Sequence, residues 1–197
     1  MLADSVADGV GVVLWAIPLY ADVPSRHDFV VQARGAFEAT LTGIYNLVER
    51  GHSIEIRFVL HAQTVPRMER FAEFVYRNLP FVSHVAFMGL EPMGYAKANR
   101  ASLWIDPLDY APALERAAWY LHDRGITTSI YNVPLCLLPR SAWPLARQSI
   151  SDWKNIYEPE CEGCAGRTRC CGFFASTGPA WRSRGIKAVV LEEEKTP

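Results

Sequence analysis

The sequence predicts an α/β fold: parallel strands alternating with helices over residues 1–135, then a small cysteine-rich extension. Three observations predict it. Apolar runs of strand length recur between residues 10 and 135, segments with helical apolar spacing separate them, and four of the five cysteines crowd into residues 161–171. Strand and helix alternating in this way build right-handed βαβ units on a parallel sheet, and no internal repeat competes with that reading.

The first strand lies in VGVVLWAIPLY, starting at Val10. This nearly continuous apolar run is rich in β-branched residues, as in a strand buried on both faces. Asp22 and Pro24 stop it. Residues 25–35 (Arg26, His27, Asp28, Gln32) read as a polar connection to a helix with Phe37, Leu41, Ile44 and Leu47 on one side and Gly51 as its stop. The period then changes to two. In SIEIRFVLH (53–61), Ile54, Ile56, Phe58 and Leu60 alternate with Glu55, Arg57, Val59 and His61, giving a second strand with one apolar and one mixed face.

Thr64 and Pro66 open the next helix, whose stripe is Phe71, Phe74, Val75 and Leu79 and whose end is Pro80. A short strand covers His84 to Leu90, and EPMGYAKAN reads as a loop. Asp106 before Pro107 starts a third helix through Leu114, Ala117, Ala118 and Leu121, stopped by Gly125. A fourth strand, Thr127 to Leu135, ends at Cys136. Residues 137–160 hold several prolines, and ARQSISDWKNIYEPE reads as a short helix between Pro-bounded turns. The expected division is 1–135, 136–178 and a tail 179–197 whose last residues are loose.

Four such strands make half of a barrel. In parallel α/β sheets chemistry sits beyond the carboxyl ends of the strands, which singles out Tyr20, Asp22, His61, Gln63, Glu91, Tyr131, Asn132 and Cys136. Asp22 also suits a turn cap, and Glu55 with Arg57 suits a paired or solvated strand face.

Twenty basic and twenty-one acidic residues leave no electrostatic footprint for nucleic acid or an anionic membrane, although Arg167, Arg169, Arg182 and Arg184 bias the cysteine region positive. The longest apolar run is too short to cross a bilayer. Asp4 and Asp8 stand where a signal peptide would carry positive charge, so a cytoplasmic chain with reduced thiols is expected.

The segment CEGCAGRTRCCGFF places cysteines at 161, 164, 170 and 171 among glycines, a spacing that lets thiolates converge on one soft metal centre. Five cysteines without an export signal argue against a disulfide framework. Cys136 lies at the mouth to which this knuckle could fold back.

The segments PLYADVPSRHDFVVQARGAFEAT, EIRFVLHAQT, YRNLPFVSHVAFMGLEPMGYAKAN, LPRSAWPLARQSISDWKNIY and PECEGCAGRTRCCGFFAS, in this order, resemble the C-terminal half of the His-Xaa-Ser system radical SAM maturase family. The resemblance implies the C-terminal half of a partial TIM-like (β/α) barrel with a cysteine-rich extension that binds an auxiliary iron-sulfur cluster, a [4Fe-4S] centre. It implies Cys136, Cys161, Cys164 and Cys170 as ligands. Cys171 falls where the family pattern has a glycine, and the spacing from Cys164 favours Cys170. The implied partners are a peptide substrate of His-Xaa-Ser repeat type and a paired radical SAM protein.

The chain departs from the family in one large respect. No C-x3-C-x2-C triad is present, nor the glycine-rich GGE-type segment that follows it, so the chain alone is not expected to cleave S-adenosylmethionine. It reads as a C-terminal fragment, or as a chain completed by another polypeptide. Were the other half supplied, Tyr20, Asp22 and Arg57 would be candidate S-adenosylmethionine contacts. The competing readings are a structural zinc site in a non-enzymatic interaction module, and a self-sufficient α/β enzyme using Asp22, Glu91 and His61. The latter lacks a nucleophile elbow, phosphate loop or metalloprotease helix.

Overall fold

Alternation along residues 53–60 decides which way the sheet faces. Ile54, Ile56, Phe58 and Leu60 are fully or almost fully buried, whereas Arg57 between them is exposed. The computed structural model describes residues 13–190. Its strands are β1 (Leu14–Pro18), β2 (Ser53–Leu60), β3 (His84–Gly89), β4 (Thr127–Tyr131) and β5 (Ala146–Arg147), all parallel and ordered in space as in sequence. The helices are α1 (Pro24–Val31), α2 (Ala36–Glu49), α3 (Met68–Asn78), α4 (Gly94–Ala98), α5 (Arg100–Leu103) and α6 (Pro107–His122). None of the described helices is long and apolar enough to cross a membrane.

One apolar cluster joins Ile54, Ile56 and Phe58 of β2 and Val85 and Phe87 of β3 to Phe37 and Ile44 of α2, Phe71 and Val75 of α3 and Leu114 and Leu121 of α6. Phe58 is its centre: its ring lies 4.3 Å from Phe71 and 5.8 Å from Phe87, centroid to centroid. The opposite face of the sheet is mixed, with Glu55 in register beside His84 and Arg57 beside the buried Ala86.

The sequence pattern misses α1 because its polar residues form no apolar stripe. Pro24 at its start presets the first turn, and the helix is fixed by one buried side chain, His27, whose Nδ1 accepts the Tyr20 amide at 3.2 Å. Asp28 then caps α2, accepting from the amides of Gly35 (2.6 Å) and Phe37 (2.9 Å). The EPMGYAKAN stretch also differs, since it enters α4 and leads into α5.

Residues 146–160 are not the short helix that the sequence suggests. Ala146–Arg147 pairs with Ile130–Tyr131 as a fifth strand, and the Ser149 hydroxyl bonds Asn132, so serine and asparagine side chains take the bonds a helix would need. The fourth strand is shorter than expected. It ends at Tyr131, where Asn132 turns the chain at φ 60° and its carbonyl comes so close to Gly89 that any Cβ there would overlap it.

The remainder contains 3₁₀ turns and a two-stranded antiparallel ladder, β6 (Asn155–Ile156) with β7 (Phe173–Phe174). This part is tied to the mouth of the sheet. Asp106 caps α6 through the Leu108 amide and also accepts from Ser183 Oγ (2.7 Å) and the Arg184 amide (3.0 Å), while Lys154 Nζ pairs with Glu91 at 3.1 Å.

Candidate metal centre

The cysteine region folds around one narrow cavity. Its wall includes Cys136, Cys161, Cys164 and Cys170, brought together from two parts of the chain, with Arg167 and Lys187 beside them. Cys136 arrives on the 3₁₀ turn Leu135–Leu137 just past β4, Cys161 on the turn Pro159–Cys161, and Cys170 directly after the turn Arg167–Arg169. Gly172 permits the last approach: it sits at φ 68°, and a Cβ there would press on the Asn155 side chain and the Ile156 carbonyl.

Backbone amides point at the sulfurs. Leu135 and Gly172 N–H groups each donate to Cys170 Sγ at 3.4 Å, and Val189 N–H donates to Cys164 Sγ at 3.2 Å. The Tyr157 hydroxyl donates to the Cys170 carbonyl at 3.2 Å, and the Arg167 guanidinium lies 4.8 Å from the Tyr157 ring centroid. Such donors stabilise thiolate over thiol and are the usual outer partners of sulfur ligands.

All five cysteines are free thiols, and among the described residues no group of three or more His, Cys, Asp or Glu side chains is already drawn together as a metal site. Burial disfavours the thiolate at two of the four sulfurs. It pushes the Cys136 thiol up to about 11, assisted by the negative charges its neighbours would carry, and raises Cys161 for the same reason. Cys170 goes the other way, to about 6, because the Cys171 thiol donates to it and the Gly172 and Leu135 amides outweigh its burial. A bound cation would supply the missing positive charge. Four sulfur donors with amide partners fit zinc or an iron-sulfur centre by donor chemistry.

Cys171 meets this set only through its thiol's contact with Cys170. It is 4 % exposed, does not line the cavity, and its Sγ lies against the Gly172 carbonyl at 3.4 Å.

The candidate contacts for S-adenosylmethionine do not assemble in the same way. Asp22 is held in a two-pronged ion pair by Arg67 (Oδ1 to Nε and Oδ2 to Nη2, both 2.6 Å). Tyr20 packs near the rings of His27 and His61, and burial raises its pKa. Arg57 donates through Nε to Glu55 at 2.6 Å and opens onto a different cleft with Met88, Tyr131 and Ser149. Among the described residues, none of the main cavities is lined by more than one of these three side chains.

Two links escape the sequence reading. Glu55 pairs with Arg57 as the strand pattern suggests, but it also meets His84 Nδ1 (2.7 Å), a link that only the β2–β3 register creates. Val189 falls in the expected tail 179–197, yet it reaches the cysteine cavity; no local pattern signals a bond between an amide and a sulfur 25 residues away. His61 and Gln63, at the end of β2, line a groove of ≈ 670 Å³ with Phe29, Tyr95 and Asn99.

No family model, curated protein or solved structure matches this chain. Its function is therefore argued from the site.

Proposed function

We propose that this chain is the C-terminal, cluster-bearing part of a radical S-adenosylmethionine peptide maturase, with Cys136, Cys161, Cys164 and Cys170 holding an auxiliary iron-sulfur cluster. The observation that carries the reading is the meeting of these four thiols on one cavity wall, with backbone amides donating to the sulfurs of Cys164 and Cys170. A parallel sheet whose spatial order follows the sequence, with one face packed on helices and the other mixed, supports half of a (β/α) barrel.

When bound, such a cluster supplies one-electron transfer. Four cysteine ligands would leave no iron open to substrate, which favours electron transfer over direct ligation. Cleavage of S-adenosylmethionine belongs, in this reading, to a three-cysteine cluster on another segment or a paired protein, because C-x3-C-x2-C does not occur in these 197 residues. The groove beside His61 has no charged residue in its lining, which suits an uncharged stretch of a peptide substrate.

The test is metal and sulfide analysis of protein isolated without oxygen. Iron with acid-labile sulfide, lost in the Cys161→Ala/Cys164→Ala double variant, is the expected result. A colourless protein with one zinc would instead support a structural module, and iron retained by the double variant would refute the ligand set.

A further inference from the structure

We propose that residues 185–190 are a strap that closes the thiol site and sets the potential of the centre held there. This inference rests on the cluster reading above and goes beyond it by assigning a role to backbone outside the cysteine knuckle.

The strap has no regular secondary structure, and both of its ends are tied down. At one end the Ser183 hydroxyl and Arg184 amide are held by Asp106, and the Gly185 amide donates to Ser183 Oγ at 3.1 Å. At the other, the Val189 carbonyl accepts from the Ala165 amide at 3.0 Å and the Val190 carbonyl accepts from Arg140 Nη2. Between these ties, two residues of the strap line the cavity. Val189 N–H donates to Cys164 Sγ at 3.2 Å, and Lys187 lines the cavity beside Cys136, where its amide opposes the rise that burial gives that thiol. One short segment thus lines the site beside a ligand from each of its two distant parts. The Val189 side chain lies over Gly166, covering the cavity wall.

The space among the sulfurs is small, ≈ 10 Å³. Ile186 anchors the strap on the main apolar cluster, so its Val189–Val190 end, held by Ala165 and Arg140, is the part that swings out to admit a cluster. Once a cluster is seated, amide donors stabilise its more electron-rich state, because reduction adds negative charge to the sulfurs. Removing a donor therefore lowers the midpoint potential.

The experiment compares wild-type protein, Val189→Pro, which lacks the amide hydrogen, and Val189→Ala, which keeps it. All are reconstituted with iron and sulfide without oxygen and titrated by electron paramagnetic resonance against potential. The proline variant should load iron and shift downward, its reduced fraction at fixed potential falling up to about tenfold, ~59 mV for a one-electron couple. The alanine variant should match wild type. Equal potentials in all three, with full iron, would overturn the strap while leaving the cluster standing; a wild type without iron would overturn both. Should Val189→Pro fail to fold, Arg140→Ala frees the Val190 end with every amide in place. It should lose iron to a chelator several times faster than wild type, and an unchanged rate would overturn the closing role.

Discussion

The sheet region and the cysteine region are held by different forces. The first packs Phe58, Phe71, Phe87, Ile54 and Leu121, all fully buried, into one cluster between strands and helices. The second has 3₁₀ turns, strands of two residues and no α-helix. Its buried Phe173, Phe174 and Trp181 stand outside that cluster. Apolar burial scales with contiguous area, so the sheet has the means to fold by itself. Past Leu137, Leu138, Ala142 and Leu145, which join that cluster, the extension depends on ties such as Asp106–Ser183 and on whatever binds its thiols.

The largest expected effect breaks the sheet. Phe58→Ala should cost about 4 kcal/mol, since it removes a ring that touches both α3 and β3 and leaves a cavity. Thermal unfolding followed by circular dichroism should show a single lowered transition. A loss confined to the extension would mean that the two regions are coupled differently.

Acid should come next. His61 is 4 % exposed, and burial pushes its pKa down to about 4. Its Nδ1 accepts the Gln63 amide, leaving Nε2 to carry the proton of the neutral ring. The unfolded chain takes up a proton near its ordinary value of 6.5, whereas the folded chain resists until about 4. Stability is therefore full above that ordinary value and falls as pH drops through the window, by at most about 3 kcal/mol. Denaturant midpoints measured from pH 7 to pH 4.5 check this, and His61→Gln should flatten the slope.

The smallest global effect sharpens the comparison from the other side. Stripping metal from loaded protein should open residues 155–190 to amide hydrogen exchange and leave β2 and β3 protected. Equal loss of protection in both regions would show that the sheet too needs the metal.

The same difference explains how much the sequence revealed. Period-two alternation at 53–60 and the Asp106–Pro107 start of α6 were legible because each is a local pattern with a physical cause in neighbouring residues. The crowding of Cys161, Cys164, Cys170 and Cys171 was legible from spacing, and the position of Cys136 after a strand put it at the same mouth, whereas the choice of Cys170 over Cys171 came from the family resemblance alone. What was not legible depends on long-range geometry: α1 pinned by one histidine, the Asp22–Arg67 pair across 45 residues, the Glu55–His84 link between strands, and the Val189 amide on Cys164. Asp22 looked like a ligand contact because a carboxylate after a strand is ambiguous until its partner is known.

One measurement tests the central claim most directly: iron and acid-labile sulfide per chain, after anaerobic reconstitution, in Cys136→Ala beside Cys171→Ala. The account predicts that the distant Cys136 is required and its loss empties or cripples the centre, while Cys171→Ala, which removes a buried thiol outside the cavity, keeps wild-type iron. Full iron in Cys136→Ala, or loss of iron in Cys171→Ala, would contradict it.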